Sequence, residues 1–93
     1  MALLITFEPT TPMSAKQYAE VLQRLEKAGA GAPKGRLQHF SYGSADALRV
    51  IDVWHDQATF EAFGAVLMPI LASVGLSVGE PNIQPLHNSI AGR

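Results

Sequence analysis

The chain has 93 residues, of which 47% are hydrophobic and only 16% charged, with a formal net charge of -1. An average soluble domain is about a quarter charged, so part of the apolar excess is expected to face a partner chain or a ligand cavity. The near-neutral charge supplies no field for nucleic acid or anionic lipid, and we expect neither as a partner. Cysteine is absent, which excludes thiolate chemistry and suits a cytoplasmic protein.

The organisation of the chain predicts a single domain over residues 1–93, because no linker, repeat or low-complexity tract interrupts it. The stretch from Ala62 to Gly79 carries no charge and is close to a membrane-spanning length. Glycines and a proline interrupt it, and its large side chains fall on one helical face, so we expect no membrane span. The N-terminus also lacks the basic leader of a secretory signal.

The first part of the chain predicts a strand followed by a helix. The apolar run Ala2–Phe7 reads as a strand, ended by the two prolines that follow it. Ser14 with Gln17 three residues later has the pattern of a capping box, so a helix is expected to begin immediately after Ser14. Tyr18 belongs to the apolar spacing of this helix and is expected in the core. Gly29 supplies the residue that ends the helix.

Three further runs predict strands. Arg36–Tyr42 and Leu48–Trp54 flank a glycine-containing turn and are expected to form a hairpin. The arginine that opens the hairpin, Arg36, is expected to be solvated or in a surface ion pair. The run Ile83–Ile90 predicts a last strand, which Pro85 weakens and therefore places at a sheet edge.

A second helix is expected after Asp56, which is a good N-cap residue. The apolar side chains that follow recur at helical spacing and form one face. They are Phe60, Phe63, Leu67, Ile70, Leu71 and Val74.

The predicted order of strand, helix, two strands, helix and strand is the split pattern of a ferredoxin-like α+β domain, with two helices on one face of an antiparallel sheet. The third predicted strand carries Val50 and Trp54 on one side and Ile51 and Val53 on the other. A sheet with one solvated face would alternate apolar and polar residues. We therefore expect a second chain to cover the face without helices.

Several short segments also resemble a known family. They are residues 50–56, 60–63, 69–71, Gly75 and 85–88. Together with the order of elements they resemble the dimeric α/β barrel superfamily, near the antibiotic-biosynthesis-type monooxygenases, in which a tryptophan ends the third strand just before the second helix. The resemblance implies a homodimer whose sheets face each other, with a pocket in each subunit between sheet and helices. It also implies cofactor-free oxygenation or isomerisation among the activities to be considered.

The most informative polar residue is Asp52, because a carboxylate between two apolar strand residues is costly to bury without a partner. Hairpin register decides that partner. If facing residues sum to an odd number, as Tyr42 opposite Ala47 would give, His39 shares the face of Asp52; if the sum is even, Gln38 does. We favour the odd register, because it places two aromatic rings in the helix-side core and the imidazole near the carboxylate. An aspartate beside a histidine fixes the tautomer that a general base requires.

The odd register makes further predictions about the two faces of the sheet. It places Leu37 on the face of Asp52. It also places Phe40 and Tyr42, together with Ile51 and Val53, in the core beneath the helices.

The remaining candidates are apolar or aromatic. Trp54 is either a core ring or a pocket wall, and in related oxygenases the tryptophan at this place holds a flat aromatic substrate. Val50 shares its face, at a position where several of those enzymes have an asparagine. Phe63 and Leu67 are expected to close the cavity from the helix side, and His87 to reach it from the last strand.

Three functions compete on this evidence. The first is an enzyme without metal or cofactor that acts on a small aromatic or cyclic enolisable compound, as a monooxygenase or isomerase. His39 would remove a proton, Asp52 would orient it and Trp54 would hold the ring. The second is a module that binds a small apolar molecule without turnover. The third is a structural dimer in which these side chains satisfy one another.

Overall fold

The computed structural model describes residues 2–92 and contains two helices and four strands. The elements are β1 (Leu3–Phe7), α1 (Ala15–Lys27), β2 (Arg36–Ser44), β3 (Ala47–Trp54), α2 (Gln57–Ser73) and β4 (Asn82–Pro85). All strand pairs are antiparallel, and the sheet order is β2-β3-β1-β4. The predicted ferredoxin-like α+β architecture is therefore confirmed. Within the described residues, neither helix has the length and hydropathy of a bilayer span.

Local sequence signals fix where both helices begin. The Ser14 hydroxyl accepts a hydrogen bond from the Gln17 backbone N–H at 3.1 Å, and the Gln17 side chain accepts one from the Ser14 N–H at 3.0 Å. The predicted capping box is thus confirmed. At the start of α2, the Asp56 carboxylate accepts a hydrogen bond from the Thr59 N–H at 2.8 Å. That backbone bond, helped by the Thr59 hydroxyl and the His55 ring, lowers the pKa of Asp56 to about 2.

The β2–β3 hairpin has the odd register. His39 lies opposite Asp52, and Tyr42 lies opposite Arg49. The pairing of Tyr42 with Ala47 was wrong by two residues, because both strands run further toward the turn than predicted. A bulge between Arg36 and Gln38 leaves Leu37 out of the ladder and 56% exposed, so Leu37 does not join Asp52 on its face.

The last strand is shorter than predicted. β4 ends at Pro85, whose nitrogen has no proton to donate to a ladder. It pairs only with β1, so its predicted position at a sheet edge is confirmed. The segment after it is largely exposed, and Ile90 is 86% exposed.

The two faces of the sheet have opposite surroundings. The helix-covered face carries Ile5, Phe7, Asp52 and Trp54, all of them buried, together with His39. The open face carries the alternate residues of the same strands. They are Leu4, Thr6, Gln38, Phe40, Tyr42, Arg49, Ile51 and Val53.

The prediction that Phe40, Tyr42, Ile51 and Val53 lie beneath the helices was wrong, because all four lie on the open face, where Phe40 and Tyr42 are 51% and 43% exposed. Register decides which residues share a face, but packing decides which face the helices cover. Trp54 packs against Phe60 and Phe63 of α2, with ring centroids 5.6 and 5.2 Å apart. Burial of the indole, which is the largest side chain of the sheet, therefore brings Asp52 beneath the helices.

Candidate functional site

A cavity of about 70 Å³ lies between the helix-covered face and the two helices. Most of its wall is apolar, with contributions from β1, α1, β3 and α2. The polar side chains in the wall are Tyr18, Arg36, His39 and Asp52. The cavity therefore combines an apolar interior with a small group of converging polar atoms, as small-molecule sites do.

Three of the polar residues form a continuous hydrogen-bonded chain that ends at the tryptophan. The Tyr18 hydroxyl lies 2.6 Å from His39 Nε2, and His39 Nδ1 lies 2.6 Å from Asp52 Oδ1. Trp54 Nε1 donates to Asp52 Oδ2 at 3.1 Å. An ionised carboxylate only accepts hydrogen bonds, so His39 donates to Asp52 through Nδ1. In the neutral form of the ring, Nε2 accepts the hydrogen bond of the Tyr18 hydroxyl.

Burial makes this chain costly to disrupt. The Asp52 side chain is 3% exposed and the His39 side chain 21%. In the described part of the chain, every buried side-chain nitrogen and oxygen atom has a hydrogen-bond partner. The desolvation of Asp52 is thus offset by two donors, one on each carboxylate oxygen.

Each member of the chain is placed by a separate element. His39 and Asp52 are direct cross-strand neighbours on β2 and β3, and Asp52 also lies opposite Ile5 on β1. Tyr18 stands in the first turn of α1, whose start the capping box fixes. Its ring is parallel to the His39 ring, at 2° and a centroid separation of 5.9 Å. Strand register and helix capping together therefore determine the geometry.

Trp54 lies behind the site instead of in its wall. The indole is fully buried and is not part of the cavity lining. Of the two alternatives considered from sequence, a core ring and a pocket wall, the structure gives the core ring. Its contact with the site is the hydrogen bond to Asp52, so it holds the carboxylate in place.

The other predicted candidates divide between the cavity and the surface. Val50, Phe63 and Leu67 line the cavity. The expectation for His87 was wrong, because β4 ends before it and the residue lies exposed, outside the lining. His55 is exposed as well and pairs with Asp56 at 3.2 Å.

Sequence reasoning missed two of the four polar residues of the wall, Tyr18 and Arg36. The helical spacing of Tyr18 correctly indicated a packed ring, but a phenol that packs against a sheet also needs a partner for its hydroxyl, and His39 supplies it. Arg36 faces the cavity because of the bulge at Leu37. No residue pattern in the sequence predicted that bulge. Among residues 2–92, no three histidine, aspartate or glutamate side chains converge to hold a metal ion.

Solved structures with the same fold include two oxygenases. An asparagine-to-alanine variant of SnoaB, a cofactor-independent oxygenase from Streptomyces nogalater, superposes with a TM-score of 0.68 at 14% identity over 98% of both chains. A protein from Chloroflexus aurantiacus described as an antibiotic biosynthesis monooxygenase gives 0.61 at 18% identity, again over 98% of both chains. These likenesses show that the chain shares the ferredoxin-like α+β fold of those structures. No family model matches the sequence, and no curated protein matches it.

At these identities the likeness establishes the fold and leaves the chemistry to the side chains of this chain. The hydrogen-bonded chain from Tyr18 to Trp54, and the cavity beside it, are therefore the observations on which a function must rest.

Proposed function

We propose that this protein abstracts a proton from a small enolisable aromatic or cyclic compound, using its own side chains as the acid–base system. The carbanion is then either reprotonated at another atom, which is isomerisation, or adds to dioxygen. In the second case the resulting hydroperoxide breaks its O–O bond and loses water, so that one oxygen atom stays on the ring as a carbonyl, which is monooxygenation. The observation that carries the proposal is the chain from Tyr18 through His39 to Asp52, which ends in an apolar cavity.

Each residue of the chain has a separate role in this reaction. Asp52 accepts from His39 Nδ1 and so leaves Nε2 as the basic atom. Tyr18, hydrogen-bonded to that atom, takes the substrate proton as it passes its own to Nε2; alternatively the imidazole takes the proton directly. The apolar wall excludes water, which strengthens the electrostatic interactions inside.

The size of the cavity sets a requirement on binding. At about 70 Å³ it is well below the roughly 300 Å³ of a typical ligand pocket. A ring-bearing compound therefore enters only when wall side chains move. Leu22 lines the cavity and is also 39% exposed, so it marks the way in from the α1 side.

The fold of the neighbours supports oxygenation as the outcome over isomerisation. SnoaB is described as a cofactor-independent oxygenase, and this chain matches its backbone over nearly the whole length. In such chemistry the substrate carbanion supplies the electrons and dioxygen is the oxidant. The protein then has to supply a base and exclude water, and the largely apolar wall beside His39 supports both requirements.

We also propose that two copies pair through the open face, giving a homodimer. Phe40 and Tyr42 are 51% and 43% exposed there, beside the half-buried Ile51. Exposed aromatic side chains clustered on one face are typical of a protein interface. Pairing would cover the open face without changing the cavity on the other side of the sheet.

A proton-abstraction assay tests the proposal without knowledge of the natural substrate. The probe is 2-tetralone, a bicyclic ketone with acidic benzylic protons, and the readout is deuterium incorporation in D₂O followed by NMR. We expect catalysed exchange that His39→Gln lowers by about two orders of magnitude or more. The matched control, His87→Gln, removes an exposed histidine and should leave the rate unchanged. Dioxygen uptake then separates oxygenation from isomerisation.

Two other outcomes would contradict the proposal that this protein is an enzyme with His39 as its base. Quenching of the single tryptophan by the probe without exchange would indicate a binding module, since Trp54 reports on the site but takes no proton. Exchange that persists in His39→Gln would show that the base lies elsewhere. Tyr18→Phe distinguishes the two proton routes. It should slow deuterium exchange if the phenol contacts the substrate, and it should leave the exchange rate unchanged if the imidazole takes the proton directly.

A further inference from the structure

Arg36 shares the face of His39 because of the bulge in β2. Residues three apart on a regular strand point to opposite faces. Here Arg36 lies opposite Trp54 and His39 opposite Asp52, and those two partners are themselves two residues apart. The extra residue, Leu37, therefore turns Arg36 toward the helices, where it lines the same cavity as the proposed base.

The guanidinium of Arg36 is held in place but not neutralised. One of its terminal nitrogens donates to the Gly31 carbonyl at 3.2 Å, and its central carbon stands 5.8 Å from the centroid of the Phe63 ring. Both contacts fix the plane of the guanidinium. Neither partner is charged, so the positive charge of Arg36 is not neutralised by them. A guanidinium has five N–H donors, so most of them remain for a ligand.

No carboxylate of the described chain pairs with Arg36. Ion pairs between residues 2 and 92 engage Arg24 with Glu20 and Arg49 with Glu8. Asp52, the carboxylate in the same wall, has both oxygens occupied by His39 and Trp54. The Glu26 carboxylate lies beside Gly31, whose carbonyl Arg36 contacts, but it makes no ion pair with the guanidinium. The wall thus carries a guanidinium that is in direct ion-pair contact with no described carboxylate, and most of the rest of the wall is apolar.

We infer that Arg36 binds an anionic oxygen of the ligand, either a carboxylate or the enolate oxygen formed when His39 removes the proton. This inference rests on the proposed function and narrows its substrate to acidic compounds. The planar fork of arginine fits a carboxylate with two parallel hydrogen bonds. Toward an enolate, the same group stabilises charge as it develops, which speeds the deprotonation itself.

Binding of an isosteric probe pair tests the inference. Benzoate and benzamide have nearly the same shape, and only benzoate is an anion, so their dissociation constants are compared by NMR titration. We expect the wild type to favour benzoate by about tenfold, as a charge-assisted pair predicts. Arg36→Gln should abolish that preference, and Arg36→Lys should retain part of it because the charge remains.

The matched control is Lys34→Gln, which removes an exposed cation two residues away and outside the cavity wall. It should keep the preference, which separates direct contact from a general loss of positive charge. Equal affinity for both probes in the wild type would overturn the inference. So would a preference that persists in Arg36→Gln, or failure of benzoate to bind.

The result is independent of the test of the base. His39→Gln leaves Arg36 in place, so it should keep the benzoate preference while losing deuterium exchange. Exchange that depends on His39, without any benzoate preference, would overturn the role of Arg36 and leave the proposed function standing. A preference for benzoate without deuterium exchange would support the role of Arg36 in binding an anion and would contradict the proposed enzymatic function.

Discussion

The two faces of the sheet differ in how completely one chain covers them. On the helix-covered face, Asp52 is 2% exposed and Trp54 is fully buried, and their polar atoms have partners. On the open face, Phe40 and Tyr42 are 51% and 43% exposed. The same strands supply both sets of residues, so the difference lies in what packs on them.

This comparison separates two kinds of dependence. The site beneath the helices is assembled within one chain from α1, β2 and β3. The open face carries exposed aromatic side chains, and the proposed pairing would cover them with a second copy. Substitutions on the first face should therefore act on stability and chemistry, and substitutions on the second on association.

The largest effect is expected at the centre of the helix-covered face. Asp52→Ala leaves the Trp54 N–H and the His39 ring without their acceptor in a buried place. We expect the free energy of unfolding to fall by about 3–5 kcal/mol, measured by urea denaturation. Asp46→Ala, in the exposed hairpin turn, is the control and should change little. A loss as small as that of the control would show that the buried chain does not form.

The open face is expected to respond through association. Phe40→Asp places a charge at the proposed contact and should weaken the dimer about a hundredfold or more, measured by sedimentation velocity at micromolar concentration. Met68→Asp on α2 is the matched control, because Met68 is also 51% exposed but lies away from the sheet. A wild type that sediments as a 10.0 kDa monomer would contradict the pairing.

A smaller effect should follow from removing only the indole donor. Trp54→Phe keeps an aromatic ring in the core but loses the hydrogen bond to Asp52. We expect a loss of about 1–3 kcal/mol in the free energy of unfolding, with part of it from reduced packing. Tyr42→Phe removes a polar group from an aromatic ring on the open face and should cost less. Equal losses in the free energy of unfolding in the two variants would contradict the proposed difference between the two faces.

The smallest effect concerns the cap of α2, outside both faces. The pKa of Asp56 is about 2 in the folded protein, against 3.8 for an ordinary aspartate. Because the folded value is the lower one, its stabilisation is present above pH 4 and is lost as the pH falls toward 2. Asp56→Asn should therefore be less stable than the wild type at pH 6, and the gap should narrow by pH 2, as followed by thermal melts. A gap that stays constant with pH would contradict this role.

Sequence alone predicted the elements and much of the site. The capping box at Ser14, the parity of the hairpin and the apolar face of α2 follow from short-range chemistry that one chain segment contains. The pairing of His39 with Asp52 followed from that parity. These features need no knowledge of what packs above the sheet.

What sequence reasoning missed depends on three-dimensional packing. Both faces of the sheet are apolar, so pattern alone could not say which one the helices cover, and Phe40 was assigned to the wrong side. The bulge that turns Arg36 inward is a register irregularity with no residue signature. Tyr18 joins the site because its hydroxyl reaches the His39 ring on β2, a contact that only the assembled fold decides.

The most direct test of the central claim is NMR of the three histidine rings. The geometry at Asp52 predicts that His39 alone shows a slowly exchanging, strongly downfield Nδ1 proton, since its 2.6 Å bond to a buried carboxylate fixes that tautomer. The signal should vanish in Asp52→Asn. Three equivalent, rapidly exchanging imidazoles in the wild type would contradict the buried chain and the chemistry proposed for it.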